Sequence, residues 1–320
     1  MAEPPLLAVR NLRVRFRMRD RMVYAVNGVS FDVERGHTLG LVGESGSGKS
    51  ATLRAVAGLL PGTAELTGDV RLAGAPLEPG AILGSAGAHV ATVFQDPATH
   101  LNPVQKIGDA LRETLGVRRG LTGMAATAEA VGLLERVELA QARARMSCYP
   151  HQLSGGMRQR VMIALALACD PVMLLADEPT TALDVTTQRK VLVLLKRLQR
   201  ETGMAMVFVS HDLAVIADVC DAAAVMYAGS IVERGPTQAL LAAPAHPYSD
   251  GLIRSIPTLD PDAVVTAIGG APPDMSAPPS GCPFAPRCPR CEPDCRVYSV
   301  RADVSPRFAA CLHPLVKATA

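Results

Sequence analysis

The stretch that decides the fold is Gly43-Glu44-Ser45-Gly46-Ser47-Gly48-Lys49-Ser50. It follows a short apolar run, Thr38–Val42, precedes a helical pattern, Ala51–Leu60, and matches G-x-x-x-x-G-K-[ST]. Glycines in such a loop let backbone N–H groups surround phosphates, and the N-terminus of the following helix adds a favourable dipole. A polar Gly/Ser-rich turn is the alternative, but the flanking strand and helix favour a phosphate-binding loop of P-loop NTPase type.

The chemistry of this loop predicts ATP and Mg²⁺ as ligands. Its lysine is expected to reach the β- and γ-phosphates, and its last hydroxyl is expected to ligate Mg²⁺. The residues predicted to bind the nucleotide are Gly43, Ser45, Gly46, Gly48, Lys49 and Ser50, of which Ser50 is also the predicted magnesium ligand.

Alternating segments come before the loop and soon after it. Residues 6–16 predict an antiparallel edge strand, and Val26–Val33 repeats the pattern after a polar, hairpin-like stretch. Residues 68–93 indicate further strands and turns. Together these segments predict an antiparallel β subdomain.

The middle of the chain changes to a helical pattern and then alternates. Residues from about 96 to 156 are alanine-rich and helical, including Ala125–Val137. Two apolar strands follow, Val172–Ala176 and Ala205–Val209, with a helix at Thr187–Thr202 between them. This alternation predicts a parallel sheet. The fold class is therefore α/β, with a helical subdomain inserted at about 96–156.

The composition excludes several classes of protein. The 320 residues carry a formal net charge of only +2, contain no Trp and are 3% aromatic, so nucleic-acid binding is not indicated. No run of 18 apolar residues occurs, and the first residues form no apolar signal core. We expect a cytoplasmic chain whose membrane role, if it has one, comes through partners.

Two acids end the apolar strand that runs to Ala176. Such a position brings carboxylates to the ligand crevice of a parallel sheet. Asp177 is predicted to hold Mg²⁺ through water, and Glu178 to orient or deprotonate an attacking water. By themselves the two acids could equally be a solvent-facing strand end; the upstream phosphate loop favours the catalytic interpretation.

A second glycine-rich turn opens a helix at Leu153-Ser154-Gly155-Gly156. One interpretation is a structural helix start capped by Ser154. The other is a second anion-binding helix terminus. The turn lies just before the acidic strand, which favours the second interpretation.

With this turn, the chain resembles the ATP-binding subunits of ABC transporters, in which L-S-G-G is the signature motif. The resemblance implies that Ser154, Gly155 and Gly156 contact the γ-phosphate of nucleotide held by an opposing ATPase subunit. Each active site is then a composite of two chains.

The resemblance assigns further site residues in the expected order along the chain. Gln95, in Phe94-Gln95-Asp96-Pro97, corresponds to the glutamine that senses Mg²⁺ and the attacking water. Asp184 corresponds to the aspartate of the D-loop, which lies at the subunit interface. His211 corresponds to the switch histidine, which contacts the γ-phosphate. The adenine-stacking aromatic is Phe16, with Tyr24 as the alternative.

Other segments resemble the oligopeptide/dipeptide importer branch of this family, namely Leu101-Asn102-Pro103, Tyr149-Pro150-His151-Gln152 and His246-Pro247-Tyr248. The implied partners are a related but non-identical ATPase subunit, two membrane permease subunits and an extracytoplasmic solute-binding protein. The implied location is the cytoplasmic face of the cell membrane. Nickel or glutathione import is the alternative within the branch, and a soluble ABC ATPase is the alternative outside it.

After about residue 243 the composition shifts, which predicts an ATPase domain over 1–243 and an extension over 244–320. Its cysteines crowd together as Cys282, Cys288, Cys295 and Cys311, with Cys291 outside the spacing. A proline-rich unit too small for a good core needs a staple, and metal is the natural cytosolic one. Four cysteines in this pattern could bind a [4Fe–4S] cluster, bind zinc, or remain as thiols without metal. The resemblance implies the iron–sulfur cluster.

Overall fold

The computed structural model describes residues 4–77, 90–181, 183–256, 266–297 and 304–316. They form two compact units, one from Met1–Ile82 and Val207–Ala320, the other from Leu83–Met206. The domain bounds 1–243, 244–320 and 96–156 stay predictions. Among the described helices, none combines the length and the apolar character needed to cross a bilayer.

The strands that the described residues form are β1 (Leu7–Arg17), β2 (Met22–Val33), β3 (Thr38–Val42), β4 (Ala64–Leu72), β5 (Ala75–Pro76), β6 (Val90–Val93), β7 (Met173–Asp177), β8 (Ala205–Ser210), β9 (Ala222–Tyr227), β10 (Ser230–Pro236) and β11 (Phe308–Ala309). The described α-helices are α1 (Lys49–Val56), α2 (Pro97–His100), α3 (Ile107–Arg119), α4 (Gly123–Arg136), α5 (Ala142–Arg145), α6 (Gly155–Ala168), α7 (Val185–Thr202), α8 (Leu213–Val219), α9 (Thr237–Ala242) and α10 (Pro247–Arg254).

The first unit contains an antiparallel sheet of order β2-β1-β4-β5. The prediction of an edge strand over residues 6–16 is wrong, because β1 has a partner on each side: Leu7 is opposite Val33 on β2 and opposite Leu72 on β4. Alternation of apolar residues tells which face of a strand is buried, but not how many strands flank it. The antiparallel β subdomain itself is confirmed.

The same unit contains a second set of strands, in the order β11-β10-β9-β3-β8. Only the last four residues of β8 belong to this unit. β3 runs parallel to β9, from Leu39 opposite Ala222 to Val42 opposite Val225. Every residue of β3 is buried, as expected for a short apolar strand covered on both faces. The parallel pairing brings the carboxyl end of β3, where the phosphate loop begins, to the crevice edge of the sheet.

In the second unit β6 and β7 form a parallel pair, with Val90 opposite Met173. Helix α6 is the centre of this unit: its Val161, Ile163 and Ala164 are fully buried, and α3 and α4 both pack against it. The predicted inserted helices are therefore present. Helix α7 is amphipathic and buries Leu194, Leu195 and Leu198, which recur at helical spacing.

The segment after β10 contains the short helices α9 and α10 and the strand β11, and two sets of contacts join it to the rest of the first unit. Tyr227 of β9 packs against Tyr248 and Phe284, with ring centroids 4.5 Å and 5.3 Å away. The buried carboxylate of Glu233 on β10 accepts the backbone N–H groups of Ala245, at 2.7 Å, and His246, at 2.9 Å. Burial raises the pKa of Glu233.

Helix α7 offers a matched test of the packing. Leu194 is fully buried and its neighbour Val193 is 63% exposed. We expect Leu194→Ala to lower the free energy of unfolding by about 2–5 kcal/mol, because it leaves a cavity. Val193→Ala is the control and should change it by less than about 0.5 kcal/mol. Urea unfolding followed by circular dichroism measures both; equal effects would contradict the packing of α7.

Candidate functional site

The phosphate loop joins β3 to α1 in the first unit. Lys49 is 5% exposed, and its ammonium donates to the backbone oxygens of Gly43, at 2.8 Å, and Glu44, at 2.9 Å. Ser45 and Gly46 form the exposed tip of the loop, and Ser50 lies in the first turn of α1. The predicted nucleotide-binding residues of this motif are therefore in one loop, with the lysine folded inside it.

Two glycines of the loop are required by its backbone. Gly48 has a φ of +101°, and a Cβ there would lie 2.4 Å from the carbonyl oxygen of Ala25. Gly43 has a φ of +154°, and a Cβ would lie 2.1 Å from the carbonyl oxygen of Met226. Both positions exclude larger residues, because neighbouring strands approach the loop at van der Waals distance.

The two candidate adenine-stacking residues lie close together in the first unit. Phe16 is opposite Val23, and Tyr24 is opposite Arg15, on the paired strands β1 and β2. The guanidinium of Arg15 covers one face of the Tyr24 ring, 5.1 Å from its centroid. One face of Tyr24 is therefore already occupied, which favours Phe16.

His211 follows the last residue of β8 and is exposed. The next residue, Asp212, caps α8 by accepting the backbone N–H of Ala214 at 2.8 Å, and its own N–H donates to Ser210 Oγ at 2.9 Å. These bonds fix the turn on which His211 is carried, at the carboxyl end of a strand.

In the second unit Asp177 is the last residue of β7, Glu178 follows it, and Gln95 contacts Glu178. Asp177 is 4% exposed. The Glu178 carboxylate accepts the side-chain amide of Gln95 at 3.3 Å and the hydroxyl of Thr181 at 2.9 Å. Glu178 has a φ of +45°, a conformation that non-glycine residues adopt rarely and mainly at functional sites. Gln95 and Glu178 thus form one polar constellation, as predicted.

The signature turn opens α6 in the second unit. Ser154 caps the helix by accepting the N–H of Met157 at 3.4 Å, and both Ser154 and Gly155 are exposed. A Cβ on Gly156 would lie 2.4 Å from the Thr187 side chain of α7. Ser154 therefore does cap the helix. Because the turn is exposed, it is also accessible to a nucleotide held by a partner, so the two interpretations are compatible.

Asp184 has a structural role of its own, because it caps α7 by accepting the N–H of Thr187 at 3.0 Å. This hydrogen bond holds the pKa of Asp184 below its ordinary value. Since Asp184 is exposed, its carboxylate is also accessible at the surface of the unit, where the interface prediction requires it.

Gln95 and the signature helix line one cavity of about 180 Å³ within the second unit. Gly155, Gln159 and Leu183 belong to its lining. The amide nitrogen of Gln159 is buried and has no hydrogen-bond partner among the described residues. The cavity is large enough for several waters, which such an amide requires.

The four predicted metal-binding cysteines line one cavity of about 20 Å³ in the first unit. The residues around it are His246, Pro247, Cys282, Phe284, Ala285, Cys288, Arg290, Cys295, Ala310, Cys311, Leu312 and His313. Burial raises the pKa of the Cys282, Cys288 and Cys311 thiols, and the neighbouring thiols add to this rise. The predicted set is thus gathered at one place, and Cys291 is outside it.

The donor set fits a metal centre. Burial lowers the pKa of His246 to about 4. Its Nδ1 accepts the N–H of Tyr248 at 3.0 Å, so the proton of the neutral ring is on Nε2, which has no hydrogen-bond partner among the described residues. An N–H without a partner beside four thiols is the donor that metal-bound thiolates or sulfides accept.

The spacing of the sulfurs differs from that of a closed zinc site. Four thiolates around zinc lie about 3.8 Å apart. Among the described residues, the donors that lie within 4.8 Å of one another are those of Asp294, Cys295 and His313, so the four sulfurs are not drawn together as a zinc tetrahedron.

Comparison with known proteins agrees with this geometry. Residues 26–181 match the ABC transporter family, and residues 232–295 match the C-terminal region of oligopeptide/dipeptide transporters. The oligopeptide transport ATP-binding protein OppD of Haemophilus influenzae is 47% identical over 92% of this chain and 92% of its own length. The dipeptide transport ATP-binding protein DppD of Bacillus subtilis is 45% identical over 93% and 92%.

This chain belongs to the ABC transporter family.

Solved structures confirm the predicted ABC-type fold of this ABC ATPase. The cassette MJ0796, solved as a dimer, is 28% identical, with a TM-score of 0.63 over 72% of this chain and 98% of that chain. The same cassette in a post-hydrolysis dimer with ADP and Pi gives a TM-score of 0.61 at 27% identity. ATP binding and hydrolysis are accordingly the activity of this ABC protein.

The sequence motifs did not reveal three residues at these sites. Arg287 and Tyr248, both from the segment after β10, contact Glu44 inside the phosphate loop. His313 Nε2–H donates to the Asp294 carboxylate at 3.1 Å, beside the cysteine cavity. The sequence signals for Tyr248 and Arg287 were indirect: Tyr248 lies in the segment His246-Pro247-Tyr248, and Arg287 lies next to Cys288.

Proposed function

We propose that this ABC ATPase powers the import of peptides, as a peripheral subunit on the cytoplasmic face of a cell membrane. The observation that carries the proposal is the similarity to oligopeptide and dipeptide transport proteins over more than nine-tenths of the chain, including the C-terminal region of that branch. Its partners are two permease subunits, a related ATPase subunit and an extracytoplasmic solute-binding protein.

The proposed roles follow from positions within each unit. Lys49 exchanges the Gly43 and Glu44 carbonyls for phosphate oxygens. Glu178 orients or deprotonates the attacking water, and its bond to Gln95 keeps the carboxylate aimed. His211 contacts the γ-phosphate. Phosphoryl transfer of this kind depends on positioning and electrostatics, with little covalent chemistry.

Mg²⁺ is the proposed cofactor of hydrolysis, and the chain supplies hard oxygen donors for it. Ser50 would bind it through the hydroxyl, Asp177 through water and Gln95 through its amide oxygen. The ion would neutralise charge on the phosphates. Asp177 fits this role by its position, because it ends the buried strand β7 and offers a carboxylate oxygen.

The catalytic assignment predicts a separation between binding and turnover. In the reconstituted transporter, Glu178→Gln should leave ATP binding intact and lower ATP turnover by about 10²–10⁴-fold, because the general base is lost. Uptake of labelled peptide into vesicles should fall with it. Glu135→Gln, an exposed position on α4, is the matched control and should change neither.

The same vesicles distinguish the cargo alternatives. Uptake of peptide by the intact complex, without uptake of nickel or glutathione, supports the proposal. Transport of nickel or glutathione alone would reassign the cargo while leaving the ATPase role intact. Near-normal turnover by the Glu178→Gln complex would contradict the role of Glu178.

Two composite sites are proposed, in which Ser154, Gly155 and Gly156 serve the nucleotide of the opposing ATPase, and Asp184 lies at the interface. A single chain then lacks the signature half of its own site. We expect a sample shown by light scattering to be monomeric to bind ATP and hydrolyse it poorly. Addition of the related subunit and permeases should raise turnover, whereas high activity of the strict monomer would refute the composite site.

We also propose that Cys282, Cys288, Cys295 and Cys311 bind a [4Fe–4S] cluster, with zinc as the alternative. The shared cavity and the Nε2–H of His246 support a metal centre. Bound metal would staple a segment that has little core of its own. The His246 N–H would donate to sulfur there and so orient that side chain.

The metal assignment is tested by composition. Anaerobically purified protein should contain about four iron and four sulfide per chain and absorb broadly at about 400 nm. Cys288→Ser should lose the metal, and Cys291→Ser, the matched control outside the cavity lining, should keep it. A colourless protein with stoichiometric zinc would replace the cluster with the alternative, and metal-free protein would refute both.

A further inference from the structure

The side chain of Glu44, inside the phosphate loop, is held by a residue 243 positions away along the chain. Arg287 Nη1 lies 2.7 Å from Glu44 Oε2, and Nη2 lies 3.0 Å from Oε1. This is the paired geometry in which arginine binds a carboxylate most strongly. The Arg287 side chain is 4% exposed, so solvent screens the pair little.

The orientation of Arg287 is fixed by further acceptors. Its Nε donates to the carbonyl of Gly269 at 2.8 Å, Nη2 donates to that of Ile268 at 3.1 Å, and Nη1 to the Tyr227 hydroxyl at 3.2 Å. The hydrogen bonds to Glu44 raise the pKa of Arg287. The guanidinium therefore cannot leave Glu44 without breaking a whole set of bonds.

A second residue of the same extension holds the backbone of Glu44. The Glu44 N–H donates to the hydroxyl of Tyr248 at 2.9 Å, and Tyr248 is fully buried against Tyr227 and Phe284. The carbonyl of Glu44 accepts from Lys49. Glu44 is thus fixed at its carboxylate, its amide and its carbonyl, and two of the three contacts come from the extension.

We infer that the C-terminal extension is a working part of the nucleotide site, in which Arg287 and Tyr248 are positioning residues of the phosphate loop. They hold Glu44 so that the loop keeps its nucleotide-binding shape, and Arg287 cancels a carboxylate charge that would repel the phosphates. The inference goes beyond the transport proposal, because it depends only on ATP binding by this chain and on neither cargo nor metal.

The electrostatic part of the role makes an unusual prediction. Without Arg287, Glu44 becomes an uncompensated negative charge in a loop that must accept a polyanion, and like charges repel. Arg287→Ala should therefore raise the Kd for a fluorescent ATP analogue about tenfold. Removing the carboxylate as well, in Glu44→Gln with Arg287→Ala, should recover most of the affinity.

The experiment uses the full chain and equilibrium binding of the fluorescent ATP analogue with Mg²⁺. Arg287→Lys keeps the charge but not the paired geometry and should be intermediate. Tyr248→Phe removes only the hydroxyl and should raise Kd about threefold. The matched control is Arg10→Ala, which removes the paired Arg10–Asp32 bridge between β1 and β2, away from the loop, and should leave Kd unchanged.

Two readouts separate positioning from a merely structural role. In the assembled transporter, Arg287→Ala should raise KM for ATP and leave kcat nearly unchanged at saturating ATP, because bound nucleotide restores the loop. Thermal melting checks that each variant is folded. If Arg287→Ala does not fold, Glu44→Gln takes its place, because it breaks the same Glu44–Arg287 ion pair. A Kd within twofold of wild type for Arg287→Ala, or no recovery of affinity in the double variant, would overturn the inference.

Discussion

The rest of this structure depends on a backbone constraint at the phosphate loop. The loop passes so close to the ends of β2 and β9 that side chains are excluded at Gly43 and Gly48. Close passage leaves the loop's own N–H groups and the dipole of α1 as the binding surface. Sheet, loop and helix meet in this way because β3 lies between β9 and β8 in the sheet, parallel to β9, and every residue of β3 is buried.

The segment after β10 is part of that arrangement, because its residues contact the phosphate loop. Its aromatic residues Tyr248 and Phe284 pack on Tyr227 of β9, the strand that also limits the loop at Gly43. Because these rings are buried, the Tyr248 hydroxyl and the Arg287 guanidinium reach Glu44 with fixed geometry. The cysteine cavity adjoins the same aromatic cluster, because Phe284 belongs to the lining of the cavity. One small aromatic cluster therefore serves both sites.

Sequence reasoning succeeded where a motif and a local period coincide, as at the phosphate loop, in the strand β7 that ends at Asp177, and in α7. It failed for β1, because alternation does not encode the number of neighbouring strands. Helix α1 was expected over Ala51–Leu60 but spans Lys49–Val56, with Gly58 at a φ of +68° soon after it. The Glu44–Arg287 pair has no local pattern at all, since each partner is an ordinary charged residue in its own segment.

The second unit carries residues proposed to serve two different nucleotides, and these residues lie close together. Gln95 donates to Glu178. We propose that these two residues serve the chain's own nucleotide, and that the turn containing Gly155 serves a partner's. Gln95 and Gly155 line the same cavity, next to the buried amide of Gln159. Gly156 is pressed against Thr187 of α7, the helix that Asp184 caps. A shift of α7 must therefore change the surroundings of the signature turn, because Gly156 and Thr187 are close-packed neighbours that cannot move independently.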